Sequence, residues 1–223
     1  MASTLATVSI LGASPAKALS FTANLQNFTG DNAGGRITVS DSGTTNTGLG
    51  IVELLAEITA PTVNGDINGI FFDLAPVSSD LDINSIATIV SQNGNVSSGV
   101  SVNTRFEALA PGSGCPNLGG GNNLNGGGNP CPLNVGVAIG APGAAGGRIT
   151  SALLTLTGTG LDATDFGNTF GLRFQSTGVN TQGSSKLGGT ADDVVPTPAA
   201  VLPALLGMGA AVTRKKKEQA EAS

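Results

Sequence analysis

Apolar and polar residues alternate along most of this chain, and the alternation predicts strands. Arg36-Ile37-Thr38-Val39-Ser40 puts Ile37 and Val39 on one face, and Asp41-Ser42-Gly43 follows as a turn. Gly50 to Thr59 is a long apolar run that stops short of Pro61. Glu53 and Glu57, spaced i and i+4, would suit a helix, but the β-branched residues at both ends predict a strand. Gly69-Ile70-Phe71-Phe72-Asp73-Leu74 forms a short strand between an Asn64-Gly65 turn and Pro76. Further strands are predicted at Ser85 to Ser91, Gly99 to Leu109, Leu133 to Ile139, Ile149 to Thr157 and Phe170 to Gln175. About eight strands separated by Gly, Asn, Asp and Pro give an all-β chain, an antiparallel β-sandwich or jelly-roll-like single domain over residues 19–177. No segment of this body carries a convincing helical stripe.

Two stretches break the rhythm. From Gly112 to Pro130 the sequence is of low complexity, and Gly119-Gly120-Gly121-Asn122 recurs as Gly126-Gly127-Gly128-Asn129. So few apolar side chains cannot offset the entropy of ordering, which predicts a mobile loop. Residues 178–194 turn polar and glycine-rich again and are expected to form a linker.

The two ends read as targeting segments. Leu5 to Ala13 is a short, mildly apolar run, and Ala16-Lys17-Ala18 supplies the small-x-small pattern of a signal peptidase site, with cleavage expected after Ala18. Nothing basic precedes Lys17, so either the leader is longer than residues 1–18 or the run is an N-terminal strand. At the other end, Val195-Pro196-Thr197-Pro198 leads into an uncharged apolar stretch from Ala199 to Val212. Arg214-Lys215-Lys216-Lys217 then closes it, the order of a segment halted in a membrane with its positive end in the cytoplasm. As a helix from Pro196 to Thr213 this span reaches only ~27 Å at 1.5 Å per residue. That barely meets a hydrocarbon core of ~30 Å, and Pro203 interrupts it, so the contact with the membrane is expected to be transient. In an exported chain, Cys115 and Cys131 are most simply a disulfide closing the base of the glycine-rich loop. Such a closure removes roughly 3 kcal/mol of unfolded-state entropy.

Composition narrows the chemistry. The chain has no His, Trp or Tyr. Between Leu19 and Val195 stand five basic residues (Arg36, Arg105, Arg148, Arg173, Lys186) against thirteen acidic ones, a net charge near −8. Scattered arginines on an acidic body offer nothing to a nucleic acid. Without histidine, Ser-His-Asp and Cys-His catalysis are excluded. Ser184-Ser185-Lys186 lie together in an expected loop, which is no preorganised site. Glu53 with Glu57, and Asp80 with Asp82, are the carboxylate pairs that glycoside hydrolysis would need, but no Trp or Tyr supplies a sugar platform. No catalytic residue is assigned and no cofactor is required. A structural calcium ion is the one metal the residue types suit: Asp80-Leu81-Asp82 and Asp162-Ala163-Thr164-Asp165 cluster carboxylates among amides. Asp in turns, however, also caps its own backbone.

Val195-Pro196-Thr197-Pro198-Ala199, with the apolar run and Arg214 to Lys217, resembles the PEP-CTERM class of sorting signals. The variety is the Pro-Thr-Pro-Ala one of cyanobacterial surface proteins, and Thr197 stands where the commonest motif has Glu. The resemblance implies recognition and cleavage near the motif by an exosortase, a membrane transpeptidase-like enzyme, during delivery to the cell surface or extracellular matrix. It also implies a membrane-spanning sorting helix over residues 199–212. The body carries a looser likeness: Asn64 to Leu74, Phe170 to Gly178 and Gly183-Ser184-Ser185-Lys186-Leu187 look like a β-rich domain of large secreted bacterial proteins. That likeness implies a secreted β fold and no mechanism. The expected protein is thus an exported structural or adhesive one, whose outside partner would be extracellular polysaccharide. The alternatives are a calcium-dependent carbohydrate-binding module and a polymer-acting hydrolase.

Overall fold

The structure, a computed structural model, describes residues 19–62, 64–74, 81–90, 106–110, 115–125, 133–139, 148–191 and 195–196. The expected leader with Ala16 and Ala18, Asp80, Cys131 and everything from Thr197 onward, including Pro198, Ala199 and Arg214 to Lys217, lie outside the described residues.

Leu19–Pro196 forms one compact unit. Its strands are β1 (Leu19–Gly30), β2 (Gly34–Thr44), β3 (Gly50–Thr59), β4 (Asp66–Leu74), β5 (Asp82–Val90), β6 (Phe106–Ala108), β7 (Val135–Ala138), β8 (Ile149–Gly158), β9 (Phe166–Thr177), β10 (Gly183–Thr190) and β11 (Val195–Pro196). One 3-10 turn, Ala163–Asp165, precedes β9, and no α-helix occurs among the described residues. All pairings are antiparallel, in the order β5-β8-β3-β2-β1-β10-β9-β4-β7-β6, with β11 also beside β1.

The alternation that predicts strands also decides which face is buried. Phe21, Ala23 and Leu25 of β1, Ile37 and Val39 of β2, Val52, Leu54 and Ala56 of β3, and Ala152, Leu154 and Leu156 of β8 point one way. They meet Ile67, Ile70 and Phe72 of β4, Phe170, Leu172 and Phe174 of β9, and Leu187 of β10 in a single apolar core. The long sheet thus folds over itself as a β-sandwich-like, all-β body. Two ring pairs stitch the core: Phe21 with Phe170 at 5.8 Å and Phe72 with Phe166 at 5.4 Å between centroids.

The hinge of the fold is β1. It pairs with β2 from Ser20↔Ser40 to Gln26↔Gly34, and on its other side with β10 from Gln26↔Gly188 to Gly30↔Ser185. This corrects the expected linker at 178–194, since residues 183–190 are a sheet-interior strand. Its composition hides it because only Leu187 is apolar and inward. Buried Ser185 fills its inward position and donates its hydroxyl to Asp31 O at 2.6 Å. The glycines leave room for neighbouring strands: a Cβ on Gly189 would lie 2.4 Å from Asn24 O.

Candidate functional site

The three segments that resemble a secreted β domain are hydrogen-bonded neighbours, β10-β9-β4. Glycines recur on their outward face. Across it one row of partners runs Gly188↔Gly171↔Phe71↔Gly136↔Glu107, so Phe71 stands between two glycines. The glycine-rich loop lies on this floor, which corrects the expectation of a mobile loop for its described part, residues 115–125. Pro116, Leu118, Asn122 and Leu124 are buried there. Leu118, Leu124 and Leu133 surround Phe71 in a second apolar cluster, with Cys115 packed against it. The floor fits closely under the loop: a Cβ on Gly171 would meet Leu124 Cδ1 at 2.2 Å and push that side chain aside, and one on Gly136 would meet Pro116 Cβ at 2.7 Å. Gly119, Gly120 and Gly121 all take φ between 59° and 80°, a reversal that side-chain-bearing residues rarely adopt in succession. Leu118 N then reaches Asn122 O at 3.0 Å, and Asn122 N reaches Gly119 O at 2.9 Å.

Polar groups seal the edges of the loop. Asn122 Nδ2 donates to Asn68 O at 2.7 Å, and Asn117 N donates to Glu107 Oε2 at 2.7 Å. Lys186 Nζ donates to Asn123 Oδ1 at 3.1 Å and to Asn125 O. Lys186 stands opposite Arg173 on β9. Burial lowers the pKa of both, and the Arg173 charge lowers that of Lys186 further. Arg173 gives Nη1 to Phe174 O and Ser185 O, while its Nε, with Asn68 Oδ1 and Asn122 Oδ1, is buried without a hydrogen-bond partner. Cys115 is disulfide-bonded; the expected partner Cys131, the only other cysteine of the chain, lies outside the described residues.

On β4, Asp66 is only 2 % exposed and accepts Ile149 N at 2.9 Å, tying β4 to the start of β8. Burial raises its pKa to about 6, against the opposing pull of the Ile149 N–H, the Asn68 side chain and the Arg148 charge. The native state therefore holds this proton more tightly than the unfolded chain, whose Asp titrates near ~3.9. The stability this carboxyl contributes is full below about pH 4 and is lost as pH rises through about 6, a decline of about 2–3 kcal/mol that then levels off. Urea midpoints at pH 4, 5, 6 and 7 check this: Asp66→Asn should flatten the decline, and parallel curves for the two proteins would refute it.

The other residues singled out from sequence divide clearly. Glu53 and Glu57 share the outer face of β3. Four strand positions put them about 13 Å apart, beyond the ~5–9.5 Å of a glycosidase pair. Glu57 instead binds Arg36 at 2.7 Å across the β2–β3 ladder. Ser185 and Lys186 alternate faces of β10 and form no dyad. Asp162 and Asp165 form a reciprocal cap of the 3-10 turn: Asp162 Oδ1 accepts from Thr164 N at 2.7 Å, and Asp165 Oδ2 accepts from Asp162 N at 2.9 Å. This is the backbone role open to Asp in turns. Asp82 is exposed at the start of β5. Among the described residues no three His, Cys, Asp or Glu side chains gather where one metal ion could sit.

Val195 and Pro196, the start of the expected sorting motif, are β11, and they pair with the first two described residues as Leu19↔Pro196 and Ser20↔Val195. Beside that rung, Asp41 Oδ2 accepts Leu19 N at 3.0 Å and Asp41 Oδ1 accepts Ala163 N at 2.6 Å. Asp41 and Asp66 are the residues sequence reading missed. The one was absorbed into a turn, and the other differs from surface aspartates only through its flanking apolar strand. A groove of about 270 Å³ opens where β1 leaves β2, lined among others by Asn24, Gln26, Asn27, Asn32, Thr59 and Pro61. Compared with family models, curated proteins and solved structures, the chain matches none.

Proposed function

We propose that this chain is an exported protein of structural or adhesive type, delivered to the cell surface or extracellular matrix by an exosortase-like enzyme. One observation carries the reading. Among the described residues Leu19 is paired with Pro196 and Ser20 with Val195, so the residues that adjoin the expected leader site and the expected sorting motif share one rung. A body trimmed after Ala18 and near Val195 keeps β1 to β10. The jelly-roll-like body, the apolar helix over residues 199–212 and its transient membrane contact belong to this proposal.

Intact mass of the protein recovered from its native cells tests it. The expected product lacks residues 1–18 and everything beyond about Val195, whereas a full-length mass would overturn the proposal. A second reading, a carbohydrate-binding module, draws on the groove, whose Asn and Gln amides suit hydroxyl groups. Binding to a glycan array, with and without calcium, separates it from a purely structural role.

A further inference from the structure

We infer that the Asp41 carboxylate is a built receptor for the α-ammonium group that leader removal creates on Leu19. Cleavage would thereby lock the first strand into the sheet. The inference rests on the leader reading above and extends it to a site inside the body.

The geometry comes from the β1–β2 ladder. Ser20 pairs with Ser40, so Asp41 is the next residue along, facing Leu19. On the other side of β2, the β2–β3 ladder shifts register between Asp41 and Gly43, and Gly43 takes a φ of 102°. Such a bulge re-aims a side chain. Here it accompanies a carboxylate turned onto the backbone, with Oδ2 3.0 Å from Leu19 N and Oδ1 held by Ala163 N at 2.6 Å. The carboxylate is therefore oriented from two sides before any charge arrives.

In the uncut chain Leu19 N is a neutral amide. Hydrolysis of the Ala18–Leu19 bond by a signal peptidase adds one water: the carboxylate stays on Ala18, and the amine on Leu19 takes a proton. The amide already makes a charge-assisted bond to the carboxylate; after cleavage the same nitrogen faces the same oxygen as a cation, which adds a Coulomb attraction that the uncut chain lacks. Because Leu19 also pairs with Pro196, the pair would brace the rung between β1 and β11.

The experiment uses the full chain with a site-specific protease sequence ahead of the body, cut in vitro to leave either Leu19 or Ala18 as the first residue. Each product is made with Asp41 and with Asp41→Asn. Cutting before Leu19 should raise Tm by about 2–4 °C. Cutting before Ala18, which moves the amine one residue away, should give no gain, and Asp41→Asn should abolish the gain of the first cut. Equal gains from both cuts, or an undiminished gain with Asp41→Asn, would overturn the inference. If Asp41→Asn does not fold, the Leu19 and Ala18 products still decide. Sequencing the native N-terminus is a separate readout: a start other than Leu19 removes the leader reading, while the in vitro cuts still report on Asp41.

Discussion

Phe71→Ala should lower stability by about 3–5 kcal/mol, at the upper end for a single side chain. The ring is fully buried although it points away from the main core, because residues 115–125 cover it. Its neighbours along the row are Gly171 and Gly136, so nothing on the adjoining strands can fill the space it would leave. Removing the ring also deprives Leu118 and Leu124 of their partner, and the loop loses its apolar hold while keeping its hydrogen bonds to Asn68, Glu107 and Lys186. Urea unfolding gives the energy, and hydrogen exchange at the Leu118 and Asn122 amides shows whether the loop has lifted. A loss under about 1 kcal/mol with unchanged exchange would mean that the loop does not depend on this floor.

Gly30→Ala should cost about 4 kcal/mol, combining backbone strain with a steric overlap that no side-chain rotation relieves. Gly30 has a φ of 93°, and a Cβ there would lie 1.9 Å from Ser184 O and 2.9 Å from Ser185 Cα, both backbone atoms of β10. The expected fall in Tm is about 8–16 °C for a body of this size. Gly43→Ala is the control. Its φ of 102° is equally unfavourable, but open space surrounds the position, so only strain of about 1–2 kcal/mol should register. Equal losses at the two positions would show that β1 and β10 have room to separate.

These two sites mark where the sequence was legible and where it was not. A long apolar run with β-branched ends located β3, and period-two alternation put Ile37 and Val39 on one face, the inward one, because a strand half-buried on one face writes its burial into its own composition. The same rule failed for β10, whose inward positions hold Ser185 and Leu187 while neighbouring phenylalanines fill the volume. It failed for the loop because glycine repeats look alike whether they float or lie on a glycine floor. The deciding residues, Gly69, Gly136 and Gly171, stand on three other segments. Asp66, Asp41 and Asp162 are chemically identical in sequence; only a ladder, a bulge and a turn separate a buried tie, a receptor for Leu19 and a cap.

The partner switch along β1 has a consequence for the order of folding. Leu19 to Gly30 must find residues 185 to 196, nearly the whole chain away, before the sheet can close. Contacts so distant in sequence make for slow folding. A chain passing through a membrane N-terminus first would therefore carry its opening strand unmatched on one side until its final strands followed. The topology itself delays completion until the last strands of the polypeptide are available.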